Sequence, residues 1–250
     1  MKVLCIIQAR MNSTRLPGKV ILPFAGSSII ECIYKRVKRS KRVNEVVVGT
    51  SAESSDDILT KLLEEKKINF FRGSLENVLN RFLSICKKYN PDYVVRVTGD
   101  CPLIDPQIID ICVENCVSGD YDYFRLLEPF PDGLDVEVFK NSAIEIAHNQ
   151  AKKDSEKEHI GQYFINNPND FLLGGINLFE PKHQQIRITL DEEEDYILLK
   201  ELEGHIDDIQ NIDYKNLLSF ILKNNNLHSI NKNIIRNEGF KKSQALENKP

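Results

Sequence analysis

An α/β domain built on a mostly parallel, Rossmann-like sheet is predicted by three observations. Short apolar runs alternate with stretches of helical period, the connections between successive runs are long enough to hold a crossover helix, and no internal repeat or long linker divides the 250 residues. A chain of this length buries about three quarters of its unfolded surface, enough for one large domain. We place that domain at residues 1–222 and treat 223–250, rich in Asn and Lys, as a partly ordered C-terminal extension.

The elements follow in order. Val3-Leu4-Cys5-Ile6-Ile7 is a continuous apolar run, as a strand covered on both faces requires. Ser27 or Ser28 can cap a helix over 27–39 whose stripe is Ile29, Ile30, Ile33 and Val37. Residues 45–50 read as a second buried strand. The segment 54–66 opens on serine and two aspartates, which suit a helix N-terminus, and carries Ile58, Leu59, Leu62 and Leu63. A short strand at 68–71, a helix at 75–88 and a strand at 92–97 continue the alternation. Asp132-Gly133 reads as a turn into a strand on which Asp135 and Glu137 share a face, either toward a ligand or toward solvent. Residues 186–191 read as a late strand ending at Asp191, ahead of the acidic run Glu192 to Asp195, which suits a helix's first turn.

Charge and cysteine usage narrow the class. A net charge of -4 argues against broad nucleic-acid binding. No apolar run approaches the ~20 residues of a membrane span, and the N-terminal run is too short for a signal peptide, so a cytoplasmic protein is expected. The six cysteines form no C-x-x-C pair and lie mostly in apolar segments, as reduced core thiols do. Cys112 and Cys116 are one helical turn apart, but no second pair accompanies them to complete a metal site.

The first strand empties into Gln8-Ala9-Arg10-Met11-Asn12-Ser13-Thr14-Arg15-Leu16-Pro17-Gly18-Lys19. Arg10, Arg15 and Lys19 are solvated charges or a phosphate clamp; the place after the first strand of an α/β sheet favours the clamp. Guanidinium groups grip phosphate bidentately, lysine adds a point charge, and Ser13 and Thr14 add neutral donors. Neither G-x-x-x-x-G-K-[ST] nor G-x-G-x-x-G is present, so side-chain cations must carry more of the binding.

From Ile6 to Lys19 this stretch resembles the opening motif of the cytidylyltransferases that activate acidic sugars, closest to the spore coat polysaccharide biosynthesis protein F branch and similar to the acylneuraminate and 3-deoxy-manno-octulosonate enzymes. The resemblance implies the nucleotide-diphospho-sugar transferase version of the fold, with helices on both faces and a small antiparallel extension. It covers nearly the whole chain, including Phe71-Arg72-Gly73-Ser74 to Arg81, Pro131 to Phe139, Glu158-His159 and the closing segment 231–243.

Two aspartates stand apart. Asp100, in Thr98-Gly99-Asp100-Cys101-Pro102, is a turn or cap residue or a ligand by its position alone; Asp191 ends the late strand. The resemblance implies that both hold Mg²⁺ against nucleotide phosphates, and Mg²⁺ takes one or two carboxylates with phosphates and water. It also implies catalysis by Arg15, Lys19, Asp100 and Asp191, and nucleotide binding by Gln8, Ala9, Arg10, Ser13, Arg15, Lys19, Arg72, Thr98 and Gly99. Asp132, Asp135, Glu137, Glu158, His159 and Arg187 are expected to face the sugar acceptor. Arg81 reads as a surface charge or an acid's partner.

The expected reaction joins CTP to an acidic sugar with release of pyrophosphate, Mg²⁺ being the cofactor and a homodimer the expected assembly, without nucleic-acid or membrane partners. GTP or another nucleoside triphosphate with a phosphorylated acceptor is the first alternative. A glycosyltransferase or non-catalytic nucleotide-sugar module, using Asp120-Tyr121-Asp122 as an Asp-x-Asp metal motif, is the second. The cationic loop suits a triphosphate better than a diphosphate sugar.

Overall fold

The computed structural model describes residues 1–236. In chain order its first half contains β1 (Val3–Gln8), β2 (Pro23–Phe24), β3 (Ser27–Ser28), α1 (Ile29–Val37), β4 (Glu45–Ser51), α2 (Asp57–Glu65), β5 (Phe70–Gly73), α3 (Val78–Tyr89) and β6 (Tyr93–Thr98). The second half contains α4 (Pro106–Ser118), β7 (Tyr123–Leu126), β8 (Glu137–Lys140), α5 (Asn141–Gln150), α6 (Asp154–Glu158), α7 (Ile160–Asn166), β9 (Leu173–Ile176), α8 (Glu193–His205), α9 (Tyr214–Lys223) and α10 (Asn225–Ser229).

β1 is central because both of its faces are apolar. Val3, Cys5 and Ile7 pack into one hydrophobic layer, and Leu4 and Ile6 into the other. Each buried aliphatic side chain contributes about 1.5–3 kcal/mol. The sheet runs β5-β4-β1-β6-β8-β7-β9, with β8 alone antiparallel to its neighbours, and β2 and β3 form a separate antiparallel pair. The mostly parallel α/β architecture is therefore the one expected.

Local chemistry sets the boundaries. Ser28, not Ser27, caps α1 in a reciprocal box with Glu31. Asn77 caps α3, which starts three residues later than its apolar pattern suggested. Buried Arg36 on α1 donates to the carbonyls of Ile104, Gln210 and Ile212, locking distant loops to the core. All six cysteines are buried free thiols. Burial pushes the Cys86, Cys112 and Cys116 thiols up to about 12.

Several expectations change. Residues 186–191 form no strand: Arg187 makes an isolated parallel bridge to Asp132, and Leu190 N–H donates to Asp100 O at 2.7 Å. The segment pairs with turns rather than with a strand. Gly133, at φ 103°, permits this, since a Cβ there would lie 2.6 Å from Thr189 N. Asp135 precedes β8, which begins only at Glu137. β7 is interior, between β8 and β9.

Of the C-terminal extension, α10 and the residues to 236 return to the main domain. Asn231 is buried and donates to Arg187 O and Asp195 Oδ1. The rest of the extension, 237–250, including most of the closing segment 231–243 that carries the resemblance, lies outside the described residues.

Candidate active site

The carboxyl ends of β1 and β6 open into a cleft of about 540 Å³, within the usual range for small-molecule sites. One wall is the loop after β1. Gly18 turns it at φ 74° into a short 3₁₀ segment beginning at Lys19. Its entry is anchored from behind by Asp56, which accepts hydrogen bonds from Met11 N–H, Ser51 N–H and the Thr50 and Ser51 hydroxyls. Burial acts to raise the Asp56 pKa, but these hydrogen bonds outweigh it and the carboxyl is lowered. Gly99 closes the floor: its N–H donates to Gln8 O, and a Cβ there would lie 2.8 Å from that of Ala9.

The loop's cations meet acids from two distant turns. Lys19 Nζ lies 2.6 Å from Asp191 Oδ1 and 3.1 Å from Asp100 Oδ2. Arg15 reaches Asp191 Oδ2 at 2.9 Å and Glu192 at 3.1 Å. Burial opposes charge on Lys19, yet Asp100 and Asp191 overcome it and raise its pKa. Asp100 is the complement: burial would raise its pKa, but Lys19 and the Thr98 hydrogen bond bring it down to about 2. Asp100 therefore remains charged at neutral pH beside Lys19.

Asp191 is held from behind. Arg187 forks onto the fully buried Asp195 at 2.8 and 2.7 Å and reaches Asp132 at 2.6 Å, while Asp195 Oδ2 accepts the N–H groups of Asp191 and Glu192. Burial pushes the Asp132 carboxyl up although Arg187 pulls it down. Such bidentate guanidinium–carboxylate pairs fix direction as well as charge.

The opposite side of the cleft is a hydrogen-bonded layer. Glu137 accepts from Tyr123 Oη and Arg96 Nη1, and Arg96 Nε donates to Gln8 at 2.9 Å. Glu158 faces Arg10 at 3.8 Å, and burial lowers the pKa of His159 beside it, against the Glu158 charge. Burial, reinforced by Asp132, pushes Asp135 up to about 7. Among the described residues no cluster of three or more His, Cys, Asp or Glu could by itself enclose a metal.

The model of the family described as cytidylyltransferase matches residues 4–234. The chain belongs to the cytidylyltransferase family. It is 33% identical to the spore coat polysaccharide biosynthesis protein SpsF of Bacillus subtilis over 228 residues, covering 89% of this chain and 95% of that protein. A cytidylyltransferase structure from Leptospira borgpetersenii superposes with a TM-score of 0.86 at 34% identity, covering 94% of this chain and 98% of the other. The structure described as CMP:2-keto-3-deoxy-manno-octonic acid synthetase complexed with CTP shares the fold, with a TM-score of 0.65 at 15% identity, covering 82% and 99% of the two chains.

In this cytidylyltransferase most sequence-predicted residues line one cleft: Gln8, Ala9, Arg10, Ser13, Arg15, Lys19, Thr98, Gly99, Asp100 and Asp191, with Asp132, Asp135, Glu137, Glu158, His159 and Arg187. Arg72 does not line it. Its guanidinium donates to Ser51 O and Glu53 O and pairs with Asp57, tying β5 to the segment that holds Asp56. Arg187 lines the cleft but spends its donors on Asp195 and Asp132, so it organises acids rather than presenting a free charge. Asp120 and Asp122 precede β7, at the end opposite the cleft, where Asp120 pairs with Lys140 and Asp122 accepts from Leu172 N–H.

Sequence reading missed Asp56, Arg96, Tyr123, Asp195 and Asn231, and left Arg81 unassigned. Asp56 and Asp195 look like ordinary first-turn helix acids, and their partners are set by tertiary contacts. Only Arg96 carried a usable signal, as a lone cation inside an apolar strand. No helix among the described residues is long and apolar enough to cross a membrane.

Proposed function

We propose that the chain transfers the cytidylyl group of CTP to a hydroxyl of an acidic sugar, with release of pyrophosphate and with Mg²⁺ as cofactor, for surface polysaccharide synthesis. One observation carries this reading: Arg15 and Lys19 from the first loop meet Asp100 and Asp191 at one point of one cleft. Family membership and the SpsF relative support the choice of CTP and of a polysaccharide pathway.

The donor set fits Mg²⁺. Two carboxylates address the same cation, Lys19 Nζ, and two carboxylates suffice for an ion that takes its remaining ligands from phosphates and water. Asp100 and Asp191 would hold it, and when bound it would supply Lewis-acid stabilisation of phosphoryl charge.

The chain's own residues supply the rest. Arg15 and Lys19 neutralise the triphosphate and the charge that builds on departing pyrophosphate. The Arg187–Asp195 pair fixes Asp191, and Asp56 fixes the loop, so alignment is established before substrate arrives. Glu137, Glu158 and His159 line the side where an acceptor's hydroxyls would be hydrogen-bonded. Placement of Asp120 and Asp122 away from the cleft favours this reading over an Asp-x-Asp glycosyltransferase.

Pyrophosphate release measured across CTP, UTP, GTP and ATP with a panel of 2-keto-3-deoxy sugar acids tests it. CTP-dependent release that requires Mg²⁺ is expected. Release of a nucleoside diphosphate from a nucleotide sugar, or no dependence on Mg²⁺, would refute it.

A further inference from the structure

Arg81 is a cation without an acid. Its side chain is 2% exposed, yet among the described residues its guanidinium makes one hydrogen bond, from Nη1 to Ser74 O at 2.6 Å, and no ion pair. Its Nε is buried with no partner. The other deeply buried arginines differ: Arg36 is ringed by carbonyls, and Arg187 is forked onto Asp195. Burial and Arg10 lower the Arg81 pKa to about 10, so it is still charged at neutral pH. A buried charge left so poorly matched is costly, and a ligand that completes it is the physical reason to retain one.

The fold makes room for this side chain. A Cβ on Gly73 would lie 2.9 Å from Arg81 Cγ and 3.2 Å from its Cβ. Gly73 thus leaves room at the end of β5 for the stem of this side chain, whose guanidinium lines the cleft beside Gln8, Arg10 and Val78. The strand order reverses between β1 and β6, the point outside which nucleotides bind in open α/β sheets, and β1, β4 and β5 lie on one side of it. The candidate acceptor residues Glu137, Glu158 and His159 come from the other side.

We propose that Arg81 reads the nucleobase, its buried guanidinium donating to the O2 and N3 acceptors of cytosine. This rests on the nucleotide-binding reading above. A guanidinium offers donors only, so it matches an edge made of acceptors. Uracil places an N3–H donor where cytosine has an acceptor, and an imperfectly matched buried donor costs binding.

The test measures binding of CTP, UTP, GTP and inorganic tripolyphosphate, each with Mg²⁺, by calorimetry to the wild type, Arg81→Gln and Arg81→Lys. The wild type should prefer CTP to UTP. Arg81→Gln should lose about 10- to 100-fold in CTP affinity, bringing it near UTP, while tripolyphosphate binding is unchanged. Arg81→Lys keeps the buried charge but not the planar fork, and should lose the same discrimination in a folded protein if Arg81→Gln does not fold. An unchanged CTP preference in a folded variant overturns the inference. So does an equal loss of tripolyphosphate, which makes Arg81 a phosphate ligand, or a wild-type preference for GTP. A raised acceptor KM with CTP binding intact also overturns it, by moving Arg81 to the acceptor. CTP preference without pyrophosphate release sinks the catalytic reading and leaves this one standing.

Discussion

Replacing Arg187 by methionine tests whether the acidic side of the cleft is organised by one buried pair. The change keeps much of the side chain's volume but strands Asp195, whose side chain is 0% exposed and accepts two of the guanidinium's hydrogen bonds, at 2.8 and 2.7 Å. Removing one partner of such a pair costs about 3–5 kcal/mol, because the survivor is left charged and buried. At about 2 °C per kcal/mol for a chain of this length, melting should fall by roughly 6–10 °C. Turnover should fall as well, since Asp132 loses its 2.6 Å partner and Asp191 its 3.5 Å contact with the guanidinium. Adding Asp195→Asn to Arg187→Met should recover part of the melting temperature by removing the stranded charge, but not the turnover. Scanning calorimetry and a pyrophosphate assay on the three proteins decide it. If Arg187→Met melts within about 1 °C of the wild type, well below the cost assigned to a broken buried pair, the hub is not what orders this wall.

Asp191→Asn should lower the rate and shift the Mg²⁺ titration to higher concentration, because the neutral amide is a weaker ligand; an unchanged titration would remove Asp191 from the metal. Asp56→Ala strips an acceptor from four donors, each costing about 1–3 kcal/mol if left unsatisfied, and should raise the KM for CTP several-fold by freeing the loop. An unaltered KM in a destabilised protein would make Asp56 structural only. Arg72→Ala should cost about 1–2 kcal/mol in urea titrations and change CTP affinity little, since Arg72 is absent from the cleft lining. A large loss of affinity would restore it to the nucleotide. Asp135, pushed up to about 7, keeps its proton in the folded state where the unfolded chain has released it, so its contribution falls as pH rises from about 4 through about 7. Melting of Asp135→Asn relative to the wild type should therefore improve across that window, and a flat difference would contradict the shift.

What the sequence disclosed was what is local. β1 and its cationic loop could be read because a continuous apolar run and a dense cation cluster need no partner to be recognised. Asp100 and Asp191 required the family resemblance, since they are 91 positions apart and their turns meet through tertiary contacts, Leu190 N–H and the Thr189 hydroxyl both donating to Asp100 O. Arg187 sits on an alternating segment that suggested a ligand-facing side chain, but Asp195 is eight residues later and behind it, where no strand periodicity points. Asp135 and Glu137 were expected on one strand face, and the strand begins too late for that. Asn231 was invisible in an Asn-rich tail because its value lies in two buried acceptors supplied by Arg187 and Asp195.

The six unpaired thiols have a practical consequence. With every sulfur enclosed and held in its unreactive protonated form, a maleimide or disulfide dye should leave the native molecule unlabelled and modify chains that have opened. Labelling speed then becomes an intrinsic clock for opening. Cys101, next to Asp100, times the cleft itself, whereas Cys112 and Cys116 time the remote helix α4, so mass spectrometry of the modified peptides can separate local breathing from global collapse without any engineered probe.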